Sequence, residues 1–155
     1  HNTMQWLEHK IPPPLVGLTL AVAAWWFSPD GWWGDASLLR RTLAGALALV
    51  GVGLDLTGVA AFVRARTTVN PLRPARASTL VIAGAYRFTR NPMYLGMALL
   101  LAGWAVLLGS WVSVMAPVVF VAFITRFQIV PEERAMAERF GLDYRAYCQR
   151  VRRWL

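Results

Sequence analysis

The sequence is short of the residues that most enzymes use for catalysis. It has one cysteine, Cys148, so an intramolecular disulfide and a CxxC-type metal site are excluded. Its two histidines, His1 and His9, both lie in the N-terminal tail, and neither an HExxH motif nor a Walker glycine loop occurs. Triad hydrolysis and metal chemistry with histidine ligands are therefore disfavoured, and we expect no metal.

Acidic residues are also scarce, since 8 Asp and Glu stand against 16 Lys and Arg and give a formal charge of +8. In a soluble protein this balance would suggest a nucleic-acid partner. Here 57% of the residues are hydrophobic, and the arginines lie at the ends of apolar runs. This pattern favours a single integral membrane domain that contacts anionic lipid headgroups, with no nucleic-acid partner.

Four apolar segments predict an all-α membrane fold with about four transmembrane helices, at residues 11–27, 42–63, 93–109 and 111–130. Only Gly109 and Ser110 separate the last two segments, so we expect a tight hairpin there. A basic loop over 64–92 joins the second and third segments.

The remaining residues, 131–155, predict an amphipathic helical tail that lies on the membrane surface or folds back over the bundle. We expect Gly141 to end one helix and Asp143 to cap the next. We take 4–155 as the domain and interpret residues 1–3 as a cloning remnant.

Arginine placement predicts the orientation. Six arginines lie in 64–90 and six in the tail, whereas the other side has only Arg40 and Arg41. The positive-inside rule then places both termini and the long loop in the cytoplasm. An aromatic belt at the opposite interface is predicted from four tryptophans: Trp25, Trp26, Trp32 and Trp33.

The second span predicts close helix packing. Small residues allow helices to approach in lipid, and the span contains four glycines, Gly45, Gly51, Gly53 and Gly58. Asp55 lies in the middle of the same span, where a carboxylate must face the interior, water or a partner. It either makes a structural hydrogen bond or forms a polar wall of a ligand cavity.

Two polar stretches, 84–96 and 131–134, should meet at the cytoplasmic face. They contribute arginines, glutamates and aromatic residues, and with Arg126 and the tail they form one candidate site. Arginine binds a carboxylate, glutamate binds an ammonium group, and aromatic rings pack on a flat base or a cation. Such a set suits a reaction that needs only positioning, with a cofactor supplying the reactivity.

At these residues the sequence resembles a known family. Tyr86-x-x-x-Arg90-Asn91-Pro92-Met93-Tyr94-x-Gly96, then Pro131-Glu132-Glu133 and Phe140-Gly141-x-x-Tyr144-x-x-Tyr147, is similar to the isoprenylcysteine carboxyl methyltransferases. That group is related to the phospholipid N-methyltransferases. Asn91 stands where the eukaryotic enzymes have histidine, whereas asparagine is familiar among bacterial relatives, so the resemblance implies a bacterial inner membrane. The likeness covers roughly residues 68–154.

The resemblance implies an integral membrane methyltransferase that uses S-adenosylmethionine, releases S-adenosylhomocysteine and methylates a small lipophilic or lipid-like acceptor. It implies a cofactor site formed by Tyr86, Arg90, Asn91, Pro92, Met93, Tyr94, Gly96, Glu132, Glu133, Tyr144 and Tyr147. Glu132 and Glu133 would face the methionine ammonium group or the reacting centre, and with Arg126 they are the catalytic candidates.

Simpler interpretations of single residues remain open. Glu132 and Glu133 can complement a helix dipole from its first turn. Arg126 can snorkel to the interface or pair with either glutamate. Tyr144 and Tyr147 can be anchors on the apolar face of the tail.

Two other functions also fit parts of the sequence. A scaffold that binds anionic lipids needs only the arginines and would have no cofactor. A membrane reductase that uses NADPH would share the architecture of the C-terminal part, although the chain is short for that group and has no separate dinucleotide motif.

Overall fold

The computed structural model describes residues 7–28, 36–65 and 80–155, which are helical and contain no strand. The helices are α1 (Pro13–Phe27), α2 (Leu38–Ala65), α3 (Pro92–Leu108), α4 (Trp111–Ile124), α5 (Val130–Phe140) and α6 (Leu142–Arg150). A 3₁₀ turn spans Gly84–Arg87, and a π-helical segment, Thr125–Ile129, joins α4 to α5. The predicted all-α fold is confirmed for these residues.

Two of the described helices are long and apolar enough to cross a membrane, α2 and the continuous helix Trp111–Phe140. Helices α1 and α3 are apolar but have only 15 and 17 residues. Large apolar side chains point outward, with Leu49 on α2 75% exposed and Met115 on α4 55% exposed. An outward apolar surface of this extent is suited to lipid rather than water.

Helices α2 and α3 pack closely because glycines line their crossing. A Cβ added to Gly51 would lie 2.6 Å from the Gly96 carbonyl oxygen, and one added to Gly58 would lie 2.9 Å from Met93 Cγ. Gly45 and Gly53 have no atom within 4 Å of such a Cβ. The predicted close approach is therefore confirmed for Gly51 and Gly58 and wrong for the other two.

Helices α3 and α4 are joined by the two predicted residues. Gly109 ends α3 in the left-handed region at φ 67°, which glycine adopts without strain. The Ser110 hydroxyl accepts a hydrogen bond from the Val112 N–H and caps α4. The guanidinium of Arg40 on α2 donates to the Leu107 carbonyl at 2.7 Å and so caps the end of α3.

The helix that begins at Trp111 does not end at residue 130, because it continues through the π-helical segment to Phe140. Ile129 and Val130 have helical backbone angles, and the Val130 N–H donates to the Thr125 carbonyl five residues back. Pro131 therefore continues a helix instead of starting one. This removes the first-turn interpretation of Glu132 and Glu133, since no free helix N-terminus exists there.

The tail folds back over the bundle, one of the two arrangements predicted. Gly141, at φ 55°, separates α5 from α6 and occupies the cap position. Asp143 lies in the first turn of α6, so the prediction that it caps the helix is wrong. Tyr147 and Val151 are buried against Ala61 of α2, Tyr86 of the 3₁₀ turn and Val81 of the segment before that turn.

Some predictions fall on other parts of the chain. The remnant at residues 1–3, the two belt tryptophans Trp32 and Trp33, and loop residues 66–79 lie outside the described residues.

Candidate functional site

The turn before α3 is bound to the end of the tail. The Arg90 N–H donates to the Arg152 carbonyl at 2.9 Å, and the Asn91 side-chain amide donates to the Arg153 carbonyl at 2.9 Å. The Thr89 hydroxyl donates to the same Arg153 carbonyl and accepts from the Asn91 N–H. Residues more than sixty positions apart in sequence are therefore fixed side by side.

Glu133 lies between two arginines. Its Oε2 atom is 2.9 Å from Nη1 of Arg90, and its Oε1 atom is 2.7 Å from Nη2 of Arg153. The Arg90 Nη1 atom also lies 2.8 Å from the sulfur of Cys148. Burial lowers the pKa of Arg90, but the charges of Glu133, Cys148 and Tyr144 together outweigh it, so the pKa is raised.

Glu132, the next residue, has neutral partners. Its Oε1 atom accepts hydrogen bonds from the hydroxyl of Tyr94 and, at 2.8 Å, from the side-chain amide of Gln128. Within the described ranges Glu132 forms no salt bridge, although it is half-buried. Two adjacent carboxylates thus differ in kind, since one is neutralised by arginines and the other can accept a cationic partner.

Three tyrosines form an aromatic wall beside the carboxylates. The Tyr147 hydroxyl donates to the Tyr86 carbonyl, and the rings of Tyr144 and Tyr147 meet edge to face at 6.3 Å. Burial raises the pKa of each of these phenols, and the charge of Glu132 raises that of Tyr86 further. Tyr86 therefore lies within electrostatic range of Glu132.

Among the residues that the structure describes, three buried arginine nitrogens have no hydrogen-bond partner: Nε of Arg90, Nε of Arg153 and Nη2 of Arg126. Buried donors of this kind cost free energy unless a ligand or water satisfies them. The first two belong to the guanidinium groups that hold Glu133. They are donors available to an anionic group at the same place.

The structure brings together most of the predicted residues, namely Tyr86, Arg90, Asn91, Tyr94, Glu132, Glu133, Tyr144 and Tyr147. We call this set, with Gln128, Cys148 and Arg153, the polar cluster. Three other predicted residues, Pro92, Met93 and Gly96, pack against α2 instead. Asp55 lies at that interface too, because a Cβ on Gly96 would be 2.5 Å from its Oδ1 atom.

Arg126 is placed elsewhere. Its Nη1 atom is 3.1 Å from the carboxylate of Glu8, which also pairs with Arg134, and its guanidinium lies over the Phe127 ring. Of the two interpretations left open for Arg126, pairing with Glu132 or Glu133 is therefore not found. Arg126 instead helps to attach the N-terminal segment to the helix that carries both glutamates.

The same segment meets the π-helical turn through its backbone. Pro131 has no N–H, so the Phe127 carbonyl has no helical partner four residues on. The His9 N–H donates to this carbonyl at 3.1 Å. The segment therefore braces the turn that carries Gln128 and precedes Glu132.

Sequence reasoning missed three members of the cluster. Gln128 is four residues before Glu132, a spacing that places both on one helix face. Cys148 is four residues after Tyr144 and touches Arg90, whereas the sequence used it only to exclude a disulfide and a CxxC-type metal site. The sequence indicates Arg153 only as one of the tail arginines that predict the membrane orientation, and no local pattern links it to Glu133.

Metal ligands do not gather in the described ranges, where no group of three or more His, Cys, Asp or Glu residues could hold an ion. Taken together, outward apolar helices and a cluster of arginines, carboxylates and tyrosines beside the N-terminal end of α3 indicate a membrane protein with a candidate polar site. The architecture alone leaves the reaction open.

Comparison with known proteins supplies the class of reaction. The family model for phospholipid methyltransferases matches residues 39–143, which covers most of the polar cluster. The chain belongs to this family. It is also 41% identical over 63 residues to an uncharacterized protein of Haemophilus influenzae, a stretch that is 41% of this chain and the whole of that protein. No solved structure matches the chain significantly.

Proposed function

We propose that this protein is an S-adenosylmethionine-dependent membrane methyltransferase of the isoprenylcysteine carboxyl methyltransferase type. It transfers a methyl group to a carboxylate, amine or thiol of a small lipophilic or lipid-like acceptor at the cytoplasmic face. Membership of a methyltransferase family supports the reaction class. The observation that carries the site is the pair Glu132 and Glu133, two adjacent carboxylates of which only Glu133 is neutralised by arginine.

The polar cluster fits a cofactor that has an ammonium group, a carboxylate and a sulfonium. Glu132 can accept the cationic part, because its present partners are a phenol and an amide. The partnerless Nε atoms of Arg90 and Arg153 are donors suited to a carboxylate. The rings of Tyr144 and Tyr147 offer aromatic faces on which an adenine can pack.

The residues of the chain then need only to bind and align. The bound cofactor supplies an electrophilic methyl group, so no protein nucleophile is required. Tyr94 and Gln128 hold the Glu132 carboxylate in one orientation, and Arg90 with Arg153 holds Glu133. Glu132 is also placed to accept a proton from an acceptor that loses one.

We further propose four membrane spans with both termini in the cytoplasm. Helices α2 and Trp111–Phe140 have the length to cross, and α1 and α3 cross as shorter apolar helices packed against them. The arginines at the C-terminal end of α2 and in the tail support this orientation. The polar cluster then lies at the cytoplasmic ends of the spans.

In this arrangement the acceptor enters laterally from the bilayer and the cofactor enters from the cytoplasm. Outward apolar side chains on α2 and α4 support contact with lipid. Labelled methyl transfer to a lipid extract tests this entry route, with water-soluble amines, thiols and carboxylates as competitors. Methylation of a water-soluble acceptor alone, unaffected by lipid, would overturn it.

Ligand-induced stabilisation tests the cofactor. Detergent-solubilised protein is heated with S-adenosylhomocysteine, S-adenosylmethionine or NADPH, each at a hundredfold excess over its Kd. A bound ligand adds about 2.7 kcal/mol to the free energy of unfolding at that concentration. We expect a shift with the adenosyl compounds that falls by about half in Glu132→Gln and is kept in Glu138→Gln, whose side chain is exposed on the same helix. A shift with NADPH alone would favour the reductase, and no shift at all in folded protein would favour a scaffold.

A further inference from the structure

A second candidate site lies beside the 3₁₀ turn. The C-terminal part of α2 and residues 80–88 enclose a cleft of about 710 Å³. Its walls are mostly apolar, with α2 contributing Leu54, Ala60 and Ala61 and the facing segment contributing Val81, Ile82 and Phe88. Phe88 is 75% exposed and Ile82 is 42% exposed, so the apolar surface continues outside the cleft.

The charge in this cleft has one sign. Arg64 and Arg87 both line it, and no Asp or Glu of the described residues does. Both arginine side chains are exposed, and neither forms a salt bridge with any residue in the described ranges. Two guanidinium groups without an acidic partner at the rim of an apolar cleft match an anion that has an apolar body.

We propose that an anionic phospholipid binds here, with its phosphate between Arg64 and Arg87 and an acyl chain along α2. The position on the fold supports a lipid, because α2 is long and apolar enough to cross a membrane and Arg64 is in its last turn. The apolar walls explain why a lipid is favoured over free phosphate, which would gain nothing from Leu54 or Ile82. An acyl chain, in contrast, buries the apolar surfaces of both Leu54 and Ile82.

The cleft is adjacent to the polar cluster but does not overlap it. Ala85 and Arg87 of the 3₁₀ turn line the cleft. Tyr86 between them is buried, and its backbone carbonyl accepts a hydrogen bond from the Tyr147 hydroxyl. A lipid in the cleft therefore contacts the turn that holds the aromatic wall. Binding of the phospholipid should stabilise the folded protein when no adenosyl compound is present. This binding therefore does not depend on the proposed methyl transfer.

Native mass spectrometry and thermal unfolding of the detergent-purified full chain test the site. The probes are phosphatidylglycerol, phosphatidylcholine with the same acyl chains, and inorganic phosphate, all without adenosyl ligands. We expect tight binding and stabilisation with phosphatidylglycerol only. In the double variant Arg64→Gln with Arg87→Gln, affinity should fall about tenfold or more, since each arginine near an anionic lipid contributes about a fivefold effect.

A matched control removes two exposed arginines of the tail, Arg145→Gln with Arg152→Gln. It makes the same change in net charge and should lower phosphatidylglycerol affinity less than about threefold. Equal losses in the two double variants would show a general charge effect and overturn the site. Equal binding of both lipids, saturation by inorganic phosphate, or no retained lipid would overturn it as well, and the unfolding temperature of lipid-free protein confirms that each variant is folded.

Discussion

Helix α3 is held in two different ways along its length. Against α2 it is packed through glycines, where Gly51 and Gly96 bring two backbones together. At its N-terminal end it is joined to the tail through side chains, with Tyr94 bound to Glu132 and Arg90 bound to Glu133. Steric change should therefore damage the first region, whereas loss of charge or of a hydroxyl should damage the second.

The largest effect is expected at the glycine crossing. In Gly96→Ala the new Cβ would lie 2.5 Å from the Gly51 carbonyl oxygen and 2.5 Å from Asp55 Oδ1. Because a backbone atom cannot move aside alone, we expect the free energy of unfolding to fall by about 3 kcal/mol. Thermal unfolding in detergent without ligand measures it.

Gly53→Ala is the matched control for this prediction. It lies on α2 two residues after Gly51, but no atom of the described residues is within 4 Å of an added Cβ. Alanine favours helix over glycine by about 1 kcal/mol, so stability should be unchanged or higher. Equal losses in the two variants would contradict the assignment of the crossing.

The two glutamates of the polar cluster give the next largest effect and separate stability from binding. Glu133→Gln leaves the guanidinium groups of Arg90 and Arg153 without their anion, so we expect a loss of about 2 kcal/mol in the absence of ligand. Glu132→Gln keeps an acceptor for Tyr94 and Gln128, so its ligand-free stability should change much less.

The ligand effect should show the reverse order. Without the Glu132 charge, a tenfold weaker Kd would reduce stabilisation by S-adenosylhomocysteine from about 2.7 to about 1.4 kcal/mol. Thermal unfolding with and without the compound measures both quantities. If Glu132→Gln loses ligand-free stability as Glu133→Gln does, the functional distinction between the two carboxylates is wrong.

The difference between these regions also explains what the sequence could predict. The motif residues Arg90, Tyr94, Glu132 and Glu133 could be recognised because two short patterns supply chemically complementary groups at the ends of apolar segments. The helical fold followed from the long apolar runs. The motifs and the apolar runs are both patterns of residues that are close together in the sequence.

Other contacts depend on geometry that local patterns do not contain. Gly51 and Gly53 are alike in sequence, and only the direction of the crossing decides which of them meets α3. Pro131 indicates a helix start as readily as a π-helical turn, so the continuation to Phe140 was missed. Arg153 meets Glu133 only because the tail folds back, and that return places its carbonyl beside Asn91.

Alkaline pH should weaken the tail side of α3 selectively. Burial raises the pKa values of Tyr86, Tyr144 and Tyr147 in the folded protein. In the unfolded chain the pKa of a tyrosine is about 10. Between pH 10 and 11 the unfolded state therefore loses protons that the folded state keeps. The contribution of each such tyrosine to the free energy of unfolding is complete below pH 10. Above that pH it should fall by about 1.4 kcal/mol per pH unit for each tyrosine.

Denaturant titrations from pH 8 to 11 measure this slope. Tyr147→Phe removes one buried phenol and should make the slope shallower while lowering stability at pH 8, because the bond to the Tyr86 carbonyl is lost. An unchanged slope in this variant would contradict the burial of Tyr147.

The smallest effect is expected where the N-terminal segment braces the helix of the two glutamates. Glu8 pairs with Arg126 and Arg134, and only 14% of its side chain is exposed. Since both arginines are partly in solvent, Glu8→Gln should cost only about 1 kcal/mol.

Glu138→Gln on the same helix removes an exposed carboxylate that has no salt bridge among the described residues, and it should be neutral. Chemical denaturation of both variants at low and high salt measures the difference, which should shrink as salt screens the pairs. A loss in Glu8→Gln no greater than in Glu138→Gln would mean that the His9 backbone bond to Phe127 holds the segment by itself.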